Sequence, residues 1–321
     1  MMNTEELSTK FSMKKKKIWV AGNTGMVGQA IEKILKINDY VLLDSNNIDL
    51  RIQTDVTNWM QKNKPDIVYV AAAKVGGILA NTQSPVDFIE DNLLISINII
   101  KSSFENKVKK LIYLGSSCIY PKDLNEPIKE DQLLSGPLEE TNQWYALAKI
   151  SGIKVCEAYR KQYGCDFISV LPSNLYGPGD NFQENNSHVP AALIDRFHEA
   201  KIKNKKEVIV WGSGNPLREF LYVDDLAEAC IYLTKNYSSA KPINIGSGEE
   251  VTIKKFSEMV KKIVNFNGKI NFDKTKPDGV YRKLLNLKKI HDLGWKAKTS
   301  MENGLKKYYK WYVENYNKLR R

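Results

Sequence analysis

Two side chains that exchange protons lie four residues apart in the segment Tyr145-Ala-Leu-Ala-Lys149. On a helix this spacing puts them on one face. A phenol has an ordinary pKa of about 10, and a nearby ammonium group favours the phenolate and brings proton transfer closer to neutral pH. The pair therefore predicts a proton donor, Tyr145, assisted by Lys149 during a hydride transfer. A surface tyrosine beside a solvated lysine would give the same pattern.

A second reactive group lies in Leu114-Gly-Ser-Ser-Cys-Ile-Tyr-Pro121, which follows an apolar run. Open α/β sheets bind their ligands at the carboxyl ends of strands. Ser116 could donate a hydrogen bond to a substrate oxygen there, and Cys118 faces the same way if the backbone stays extended. A buried structural cysteine is the commoner outcome. A hydrolytic Cys–His pair is conceivable, but nothing else in the sequence resembles a cysteine protease.

A glycine-rich turn follows the apolar segment 18–21 and precedes a helical pattern, with the spacing Gly-x-x-Gly-x-x-Gly. Glycine permits positive φ and lets a pyrophosphate approach the backbone. The helix that follows directs unpaired N–H groups and its positive dipole end at the turn. Ordinary turns also contain glycines, but the place of this one in the first strand–helix unit favours a dinucleotide cofactor. The residues expected to bind it here are Gly22, Asn23, Thr24, Gly25, Met26, Val27 and Gly28.

The end of the second predicted strand offers a contact for the adenosine ribose. Asp44 could accept hydrogen bonds from the ribose hydroxyls, which favours NAD, whereas an arginine would favour the 2′-phosphate of NADP. The first arginine of the chain is Arg51. An Asp44 that only begins a turn is an equal alternative, and Asp49-Leu50 could lie against the adenine instead.

Apolar runs and helical patterns alternate along the first half of the chain. Strands are predicted over 18–21, 40–43, 66–71, 110–114 and 167–171, and helices over about 87–104 and 145–163. Buried strands that alternate with helices indicate a parallel sheet with right-handed crossovers. We therefore expect an α/β fold: a Rossmann-type doubly wound parallel sheet with a smaller, mixed C-terminal substrate-binding domain.

The same patterns predict the domain boundaries. Residues 1–17 are polar and end in four lysines, and we expect a disordered extension there. The dinucleotide-binding domain is expected to span 18–180, with a segment of about 219–247 returning to it. Residues 181–218 and 248–321 would form the substrate domain.

Composition excludes several classes of protein. The chain has 321 residues, a formal net charge of +11 and four cysteines without Cys-x-x-Cys spacing. The lysines are scattered, so we interpret the charge as a solvated surface or a field that attracts anionic nucleotides, and expect no nucleic-acid partner. No apolar run reaches the roughly 20 residues of a membrane span, and the N-terminus lacks the apolar core of a signal peptide. We expect a cytoplasmic protein without a metal site, disulfides or a membrane span.

Several motifs together resemble the GDP-L-fucose synthase family of extended short-chain dehydrogenases/reductases, over nearly the whole chain after residue 17. The Gly-Ser-Ser-Cys strand end at 115–118 combined with Asn186-Ser-His188 is the most specific feature. The other motifs are Gly-x-x-Gly-x-x-Gly at 22–28, Ala-Ala-Ala-Lys-Val-Gly-Gly at 71–77, Tyr-Ala-Leu-Ala-Lys at 145–149, Asn-Leu-Tyr-Gly-Pro at 174–178, Trp-Gly-Ser-Gly at 211–214, Arg-Glu-Phe at 218–220, Val-Asp-Asp at 223–225 and Lys-Pro-Asp-Gly at 276–279.

The resemblance implies an enzyme that epimerises C3 and C5 of a GDP-4-keto-6-deoxy-sugar and reduces its C4 ketone with NADPH. It implies that Tyr145 protonates O4 as hydride arrives, that Lys149 holds the nicotinamide ribose and lowers the pKa of Tyr145, and that Ser116 hydrogen-bonds the ketone. Cys118 and His188 would be the base and the acid of the epimerisation. Protons next to a ketone are acidified, and the enolate needs a proton donor on its other face.

The matching motifs also imply contacts with both ligands and a partner. The cofactor would further contact Asp44, Ala72, Ala73, Leu114, Gly115, Lys149, Pro172, Asn174, Leu175 and His188. The substrate would contact Ser117, Asn174, Arg196, Trp211, Arg218 and Asp278. Arg196 and Arg218 would pair with the GDP diphosphate, for which the geometry of arginine is suited. A homodimer that pairs through the helices near 87–104 and 145–163 is implied as well.

Two positions depart from the family pattern. Members carry arginines for the 2′-phosphate of NADPH in the glycine loop and after the second strand, where this chain has Thr24 and Leu43. The resemblance implies NADPH as the cofactor, and this departure makes NADH an alternative.

Two other functions stay open. The first is a C4 reductase, with or without epimerisation, of another GDP-keto-sugar such as a GDP-4-keto-heptose, because motifs around C4 do not report on the far end of the sugar. The second is a non-catalytic nucleotide- or RNA-binding Rossmann protein. Only the basic charge favours it, and the intact set of reactive residues described above opposes it.

Overall fold

Apolar runs form the strands, and amphipathic segments between them form the helices. The computed structural model describes residues 10–45, 48–124, 127–183, 187–276 and 278–320. The strands are β1 (Lys17–Ala21), β2 (Val41–Leu43), β3 (Ile67–Val70), β4 (Lys110–Leu114), β5 (Phe167–Pro172), β6 (Asn174–Tyr176), β7 (Glu207–Trp211), β8 (Leu217–Tyr222), β9 (Ile243–Ile245), β10 (Glu250–Thr252), β11 (Lys269–Asp273) and β12 (Arg282–Lys283). The helices are α1 (Met26–Ile37), α2 (Gln53–Asn63), α3 (Ile78–Gln83), α4 (Pro85–Glu105), α5 (Gln143–Tyr163), α6 (Val189–Ile202), α7 (Val223–Asn236), α8 (Ile253–Val264), α9 (Lys288–Asp292) and α10 (Met301–Glu314). Among the helices of these ranges, none combines the length and the apolar composition that crossing a membrane requires.

The central sheet has six parallel strands in the order β2-β1-β3-β4-β5-β9. Every residue of β3, β4 and β5 is buried, as expected of a parallel sheet with helices on both faces. The chain leaves β1 toward β2 on one side and β3 on the other, and ligands bind at such a switch point. The predicted α/β fold with a doubly wound parallel sheet is confirmed, and its five predicted strands differ from the observed ones by at most one residue at either end.

A smaller, mixed arrangement follows in the C-terminal half. β8 pairs antiparallel with β10 and parallel with both β12 and β6. β7 and β11 form a separate parallel pair. α6 and α10 pack against α8 beside these strands. The expected smaller, mixed C-terminal part is therefore present.

Two hydrophobic cores correspond to these two arrangements. The larger contains Trp19 and Ile112 of the sheet, and the smaller contains Phe197 and Phe256. The segment 285–295 contributes to the larger core, because α9 packs against β9. This differs from the expected boundary, which assigned all of 248–321 to the substrate domain. We propose two units, with this segment on the dinucleotide-binding side.

The residues directly before β1 pack against the larger core. Met13 is 2% exposed, and the backbone N–H of Phe11 donates to the carbonyl oxygen of Lys235 over 2.9 Å. This differs from the disorder expected for 1–17. Phe11 and Met13 bury apolar surface, although the neighbouring lysine run gives this segment a polar composition. Residues 1–9 of that extension lie outside the described residues.

Candidate active site

The turn between β1 and α1 is packed so closely that two of its glycines leave no room for a side chain. Gly22 has a φ of +90°, and a Cβ there would lie 2.5 Å from the backbone nitrogen of Ala72. A Cβ on Gly28 would lie 2.2 Å from the carbonyl oxygen of Gly22. Gly25 precedes α1 without a side-chain cap, and the first turn of α1 contains no acidic residue. A helix start of this kind, behind a turn without bulky side chains, fits the pyrophosphate of a dinucleotide.

The end of β2, where the adenosine ribose is expected, combines an exposed carboxylate with two indoles in tilted contact. Asp44 is exposed, and its backbone carbonyl accepts a hydrogen bond from Trp59 Nε1 over 3.2 Å. The ring of Trp59 lies 4.5 Å from that of Trp19. Arg51 is engaged elsewhere, because it pairs with Asp49 at 2.7 Å and with Asp91 at 3.3 Å. The hydrogen bonds from Arg51 lower the pKa of Asp49 to about 2.

At the carboxyl end of β4 the chain turns, and this turn brings Ser116 and Cys118 together. Gly115 donates its N–H to the carbonyl oxygen of Val170 over 2.8 Å, which keeps this end beside β5. The chain then forms a short 3₁₀ turn at Ser117–Ile119, and the Ser116 side chain accepts from the backbone N–H of Cys118 over 3.1 Å. The condition under which Cys118 would face the same way as Ser116, an extended backbone, is not met, because the serine side chain caps a turn there.

Tyr145 lies against this turn from the start of α5. It lies close enough to the Ser116 side chain and to Cys118 for both to influence its pKa. Burial raises the pKa of Tyr145, the nearby Cys118 adds to the increase, and the nearby Ser116 hydroxyl opposes it. Tyr145 is therefore a protonated phenol at neutral pH.

Lys149 lies one turn further along α5 and is 3% exposed. Its Nζ donates to the carbonyl oxygen of Leu114 over 2.8 Å and lies 5.0 Å from the ring centre of Tyr113. Burial lowers the pKa of Lys149 to about 7. The Tyr–Lys spacing predicts that the ammonium lowers the pKa of Tyr145. In the structure desolvation has the largest effect on Tyr145, and the lysine is bonded to the β4 backbone instead.

His188 precedes α6, whose first turn it leaves without a side-chain cap. His188 is exposed to solvent. The surrounding protein atoms nevertheless desolvate its ring, which lowers its pKa. A Cβ added to Gly77 would lie 3.2 Å from the carbonyl oxygen of the neighbouring Ser187. This segment therefore contacts the loop that follows β3. Asn186, quoted with His188 in the sequence motif, lies outside the described residues.

Arg218 of β8 lies near both the turn that contains Cys118 and the loop that contains Asp278. Burial lowers the pKa of Arg218, and the nearby Cys118 and Asp278 oppose that shift. Its Nη1 donates to the carbonyl oxygen of Leu217 over 2.8 Å, and its Nη2 lies 3.5 Å from the Cβ position of Gly279. A largely buried cation therefore lies near both the Cys118 thiol and the Asp278 carboxylate.

A second cationic cluster surrounds the half-exposed indole of Trp211. The guanidinium of Arg196 lies 4.9 Å and the ammonium of Lys276 5.4 Å from the ring centre. Asp278 holds the adjoining loop, since its carboxylate accepts from the backbone N–H and the hydroxyl of Ser213 at 2.6 and 2.7 Å. The cluster offers a flat ring and two cations, which suit an anionic nucleotide.

The remaining expected contacts lie at the same edge of the parallel sheet. They are Ala72 and Ala73 after β3, Leu114 and Gly115 at the end of β4, Pro172 at the end of β5, and Asn174 and Leu175 in β6. Asn23 and Thr24 lie in the glycine turn, and Met26 and Val27 open α1. Ser117 is the residue whose position fits least, because it is 1% exposed.

Two lysines of this site were missed by the sequence argument. Lys283 lies directly opposite Arg218 in the parallel β12–β8 pair, so both side chains leave the sheet on one face. Lys276 lies beside Trp211 as described above. Lys276 could have been found from its Lys-Pro-Asp-Gly motif, although Pro277 of that motif lies outside the described residues. A two-residue strand such as β12 leaves no periodic signal for Lys283.

The chain is similar to known proteins over most of its length. The model of the NAD dependent epimerase/dehydratase family matches residues 18–246. GDP-L-fucose synthase 1 from Arabidopsis thaliana is 53% identical over 307 residues, which is 95% of this chain and 95% of that protein.

Two solved structures share the fold. A GDP-L-fucose synthetase from Naegleria fowleri bound to NADP is 33% identical, with a TM-score of 0.92 and coverage of 100% of both chains. A GDP-6-OMe-4-keto-L-xylo-heptose reductase from C. jejuni is 35% identical, with a TM-score of 0.90 and coverage of 95% of this chain and 99% of that one.

Proposed function

Because this chain belongs to the NAD dependent epimerase/dehydratase family, we propose that it reduces the C4 ketone of a GDP-4-keto-6-deoxy-sugar with NADPH and epimerises C3 and C5, giving GDP-L-fucose or a close relative. The observation that carries the proposal is the meeting of Ser116, Cys118 and Tyr145 at the carboxyl end of β4. The relative from A. thaliana, 53% identical, bears the name of this activity.

NADPH is the reductant, and its chemical contribution is the hydride. The uncapped start of α1 behind Gly22 and Gly25 would hold its pyrophosphate, and Lys149 would hold the nicotinamide ribose. The structural neighbour bound to NADP supports this cofactor. NADH is the alternative, because Thr24 and Leu43 stand where the family pattern has arginines.

Reduction requires a proton at O4 when the hydride reaches C4. Tyr145 is a protonated phenol because burial raises its pKa, and it donates that proton to O4. Ser116, which lies near Tyr145, donates a hydrogen bond to the same oxygen while negative charge develops there. In its charged form Lys149 stabilises the phenolate that remains.

Epimerisation exchanges one proton at C3 and one at C5. At each carbon the Cys118 thiolate removes a proton, the C–H electron pair moves toward the C4 ketone to give an enolate, and the proton ends on sulfur. His188 then donates a ring proton to the opposite face of that carbon and regains one from solvent, while the Cys118 thiol releases its proton to solvent and is a thiolate again for the next carbon. Thiol and imidazole both exchange protons near neutral pH.

The GDP part is assigned to the cationic groups on the substrate side. Arg218 and Arg196 pair with the diphosphate oxygens, and Trp211, half-exposed between two cations, lies against the nucleotide. The loop held by Asp278 through Ser213 keeps that ring in place.

An isotope experiment tests this function. The protein is incubated in D₂O with GDP-4-keto-6-deoxy-mannose and either NADPH or NADH. We expect NADPH oxidation, a GDP-fucose product and deuterium at C3 and C5. Reduction without deuterium at these carbons would remove the epimerase part, and no oxidation of either cofactor would reject the reductase.

A heptose substrate is the second candidate, because the C. jejuni heptose reductase is 35% identical with a TM-score of 0.90. A panel of GDP-4-keto-hexoses and GDP-4-keto-heptoses separates the two. A higher kcat/KM for the heptose, without deuterium incorporation, would assign the chain to C4 reduction alone.

The assembly that we propose is a homodimer formed through α4 and α5. These helices pack against each other, and both keep apolar side chains at the surface. The exposed fractions are 40% for Ile97, 38% for Trp144 and 38% for Leu147. We also propose a cytoplasmic location, in keeping with four cysteines that form no disulfide.

A further inference from the structure

A buried carboxylate lies directly beside the arginine assigned to the diphosphate. Glu219 follows Arg218 on β8 and is 0% exposed. It has no part in the chemistry described above. A buried carboxylate without hydrogen-bond partners destabilises a fold. The partners of Glu219 therefore indicate its role.

Three backbone N–H groups surround this carboxylate. Oε1 accepts from Gly248 over 2.8 Å, and Oε2 accepts from Leu285 over 3.0 Å. The backbone N–H of Ser247 lies close enough to lower the pKa of this carboxyl group as well. Ser247 and Gly248 lie between β9 and β10, whereas Leu285 follows β12. The side chain therefore joins two separate chain segments to β8.

β12 and the backbone of Glu219 both contact residues that are assigned to the substrate. On β12, Lys283 is paired with Arg218 in register. Just before β12, the carbonyl oxygen of Tyr281 accepts from the Leu217 N–H over 2.9 Å. The carbonyl oxygen of Glu219 itself accepts from Asn174 Nδ2 over 3.2 Å.

The ionised carboxylate is the form that fits these donors. Either a protonated carboxyl group or an amide would turn one hydrogen toward a backbone N–H. Burial raises the pKa of Glu219 to about 7, and the three N–H groups oppose the increase. On β10, Glu250 adds to it but is itself paired with Arg282 of β12 at 2.6 Å.

We propose that Glu219 is a positioning residue for the diphosphate. Its carboxylate holds the 247–248 loop and the segment that ends at Leu285 against β8, so that Arg218 and Lys283 face the substrate together. The inference rests on the proposed function, which assigns Arg218 to the diphosphate.

Gly246 gives an independent way to disturb the carboxylate. A Cβ on Gly246 would lie 2.1 Å from Glu219 Oε1, so the carboxylate occupies the space of any side chain there. Gly246 is not among the residues of positive φ, so alanine is acceptable to the backbone at this position. Gly246→Ala therefore displaces the carboxylate without removing it.

The matched control is another carboxylate with three donors, placed away from the substrate. Asp166, which precedes β5, accepts from Lys110, Arg160 and Ser238 at 2.7 to 2.8 Å. Because it lies at the amino end of the sheet, Asp166→Asn removes a comparable anion without touching the proposed site.

The experiment compares Glu219→Gln, Gly246→Ala and Asp166→Asn with the wild-type protein. It measures Kd for GDP by calorimetry, Kd for NADPH by fluorescence, KM and kcat for the GDP-keto-sugar, and the melting temperature. We expect both site variants to raise Kd for GDP and KM about 10-fold, the loss of one charge-assisted hydrogen bond, with kcat and Kd for NADPH nearly unchanged. Asp166→Asn should lower the melting temperature only.

Several outcomes would overturn the inference. Wild-type GDP affinity in Glu219→Gln would do so, as would an equal loss of GDP and NADPH affinity, which indicates a general structural role. If Glu219→Gln does not fold, Gly246→Ala decides alone. A wild-type protein that binds GDP but reduces no keto sugar contradicts the proposed function and leaves the GDP comparison intact.

Discussion

The Nζ atom of Lys149 and the carbonyl oxygen of Leu114 lie 2.8 Å apart and are hydrogen-bonded. This bond ties the first turns of α5 to the end of β4 and holds an amine in the protein interior. Charge is costly there, which explains why the pKa of Lys149 falls to about 7.

We expect Lys149→Met to change the pH dependence of stability. Above pH 10.5, the ordinary pKa of lysine, the amine is neutral in the folded and unfolded chains. Between pH 10.5 and about 7 only the unfolded chain takes up the proton, so the wild type loses stability relative to the variant as the pH falls. The difference should change by about 1 kcal/mol per pH unit in urea unfolding between pH 7 and 9.5. Lys161→Met, at an exposed position of the same helix, should show no such trend; a pH-independent difference for Lys149→Met would contradict the assigned burial.

Tyr145→Phe removes the proton donor but keeps the ring. We expect kcat to fall about 10² to 10⁴-fold, the usual contribution of a positioned acid, whereas Kd for NADPH should stay within about threefold because the phenol does not hold the cofactor. Steady-state kinetics and fluorescence titration measure the two quantities. Tyr163→Phe, on the exposed end of α5, is the control, and near-normal turnover by Tyr145→Phe would remove this residue from the mechanism.

Cys118→Ser separates the two halves of the reaction. A hydroxyl is a far weaker base than a thiolate near neutral pH, so deuterium incorporation at C3 and C5 should fall about 100-fold or more. Reduction of an already epimerised 4-ketone should change much less. Mass spectrometry in D₂O and NADPH oxidation follow the two steps. An equal loss of both would place Cys118 in general substrate binding instead.

Gly22→Ala tests the close packing of the first turn. Gly22 and Gly164 both have positive φ, but a Cβ on Gly164 would meet nothing within 4 Å, whereas one on Gly22 would meet Ala72 at 2.5 Å. We expect Gly164→Ala to cost about 1 kcal/mol of stability from backbone strain alone without affecting Kd for NADPH. Gly22→Ala should raise that Kd at least about 10-fold, because the turn must move. Equal effects of the two substitutions on the Kd would argue against cofactor binding at this turn.

Leu147→Glu tests the proposed dimer. A buried, unpaired carboxylate opposes association, so we expect light scattering to show a monomer where the wild type is a dimer. Ile37→Glu, at a 72% exposed site on α1, is the control and should leave the assembly unchanged. A Leu147→Glu protein with the wild-type mass would place the interface elsewhere, and a monomeric wild type would reject the dimer.

The features that the sequence predicted well are local. The strands of the sheet and the glycine turn depend on the residues within them, so apolar runs and spacing were sufficient. The turn at Cys118 was not predicted, because it depends on one hydrogen bond from its own backbone to Ser116. The roles of Asp278 and Glu219 depend on donors that are 65 and 29 residues away, and no local pattern records such pairs.

Burial also explains the differences in the pKa values. From spacing alone, Lys149 was expected to act on Tyr145 through charge. The structure adds desolvation, which lowers the pKa of the lysine and raises that of the tyrosine. A sequence states which groups are neighbours on a helix, but it does not state how much water they lose.

β8 contributes side chains to both hydrophobic cores, which determines how the protein unfolds. Phe220 and Tyr222 belong to the smaller core, while Leu221 between them belongs to the larger. Alternate side chains of one strand are thus shared between two cores, so neither core can melt while β8 remains in place for the other. Heating should therefore produce a single cooperative transition, and a protease should release no stable half of the chain.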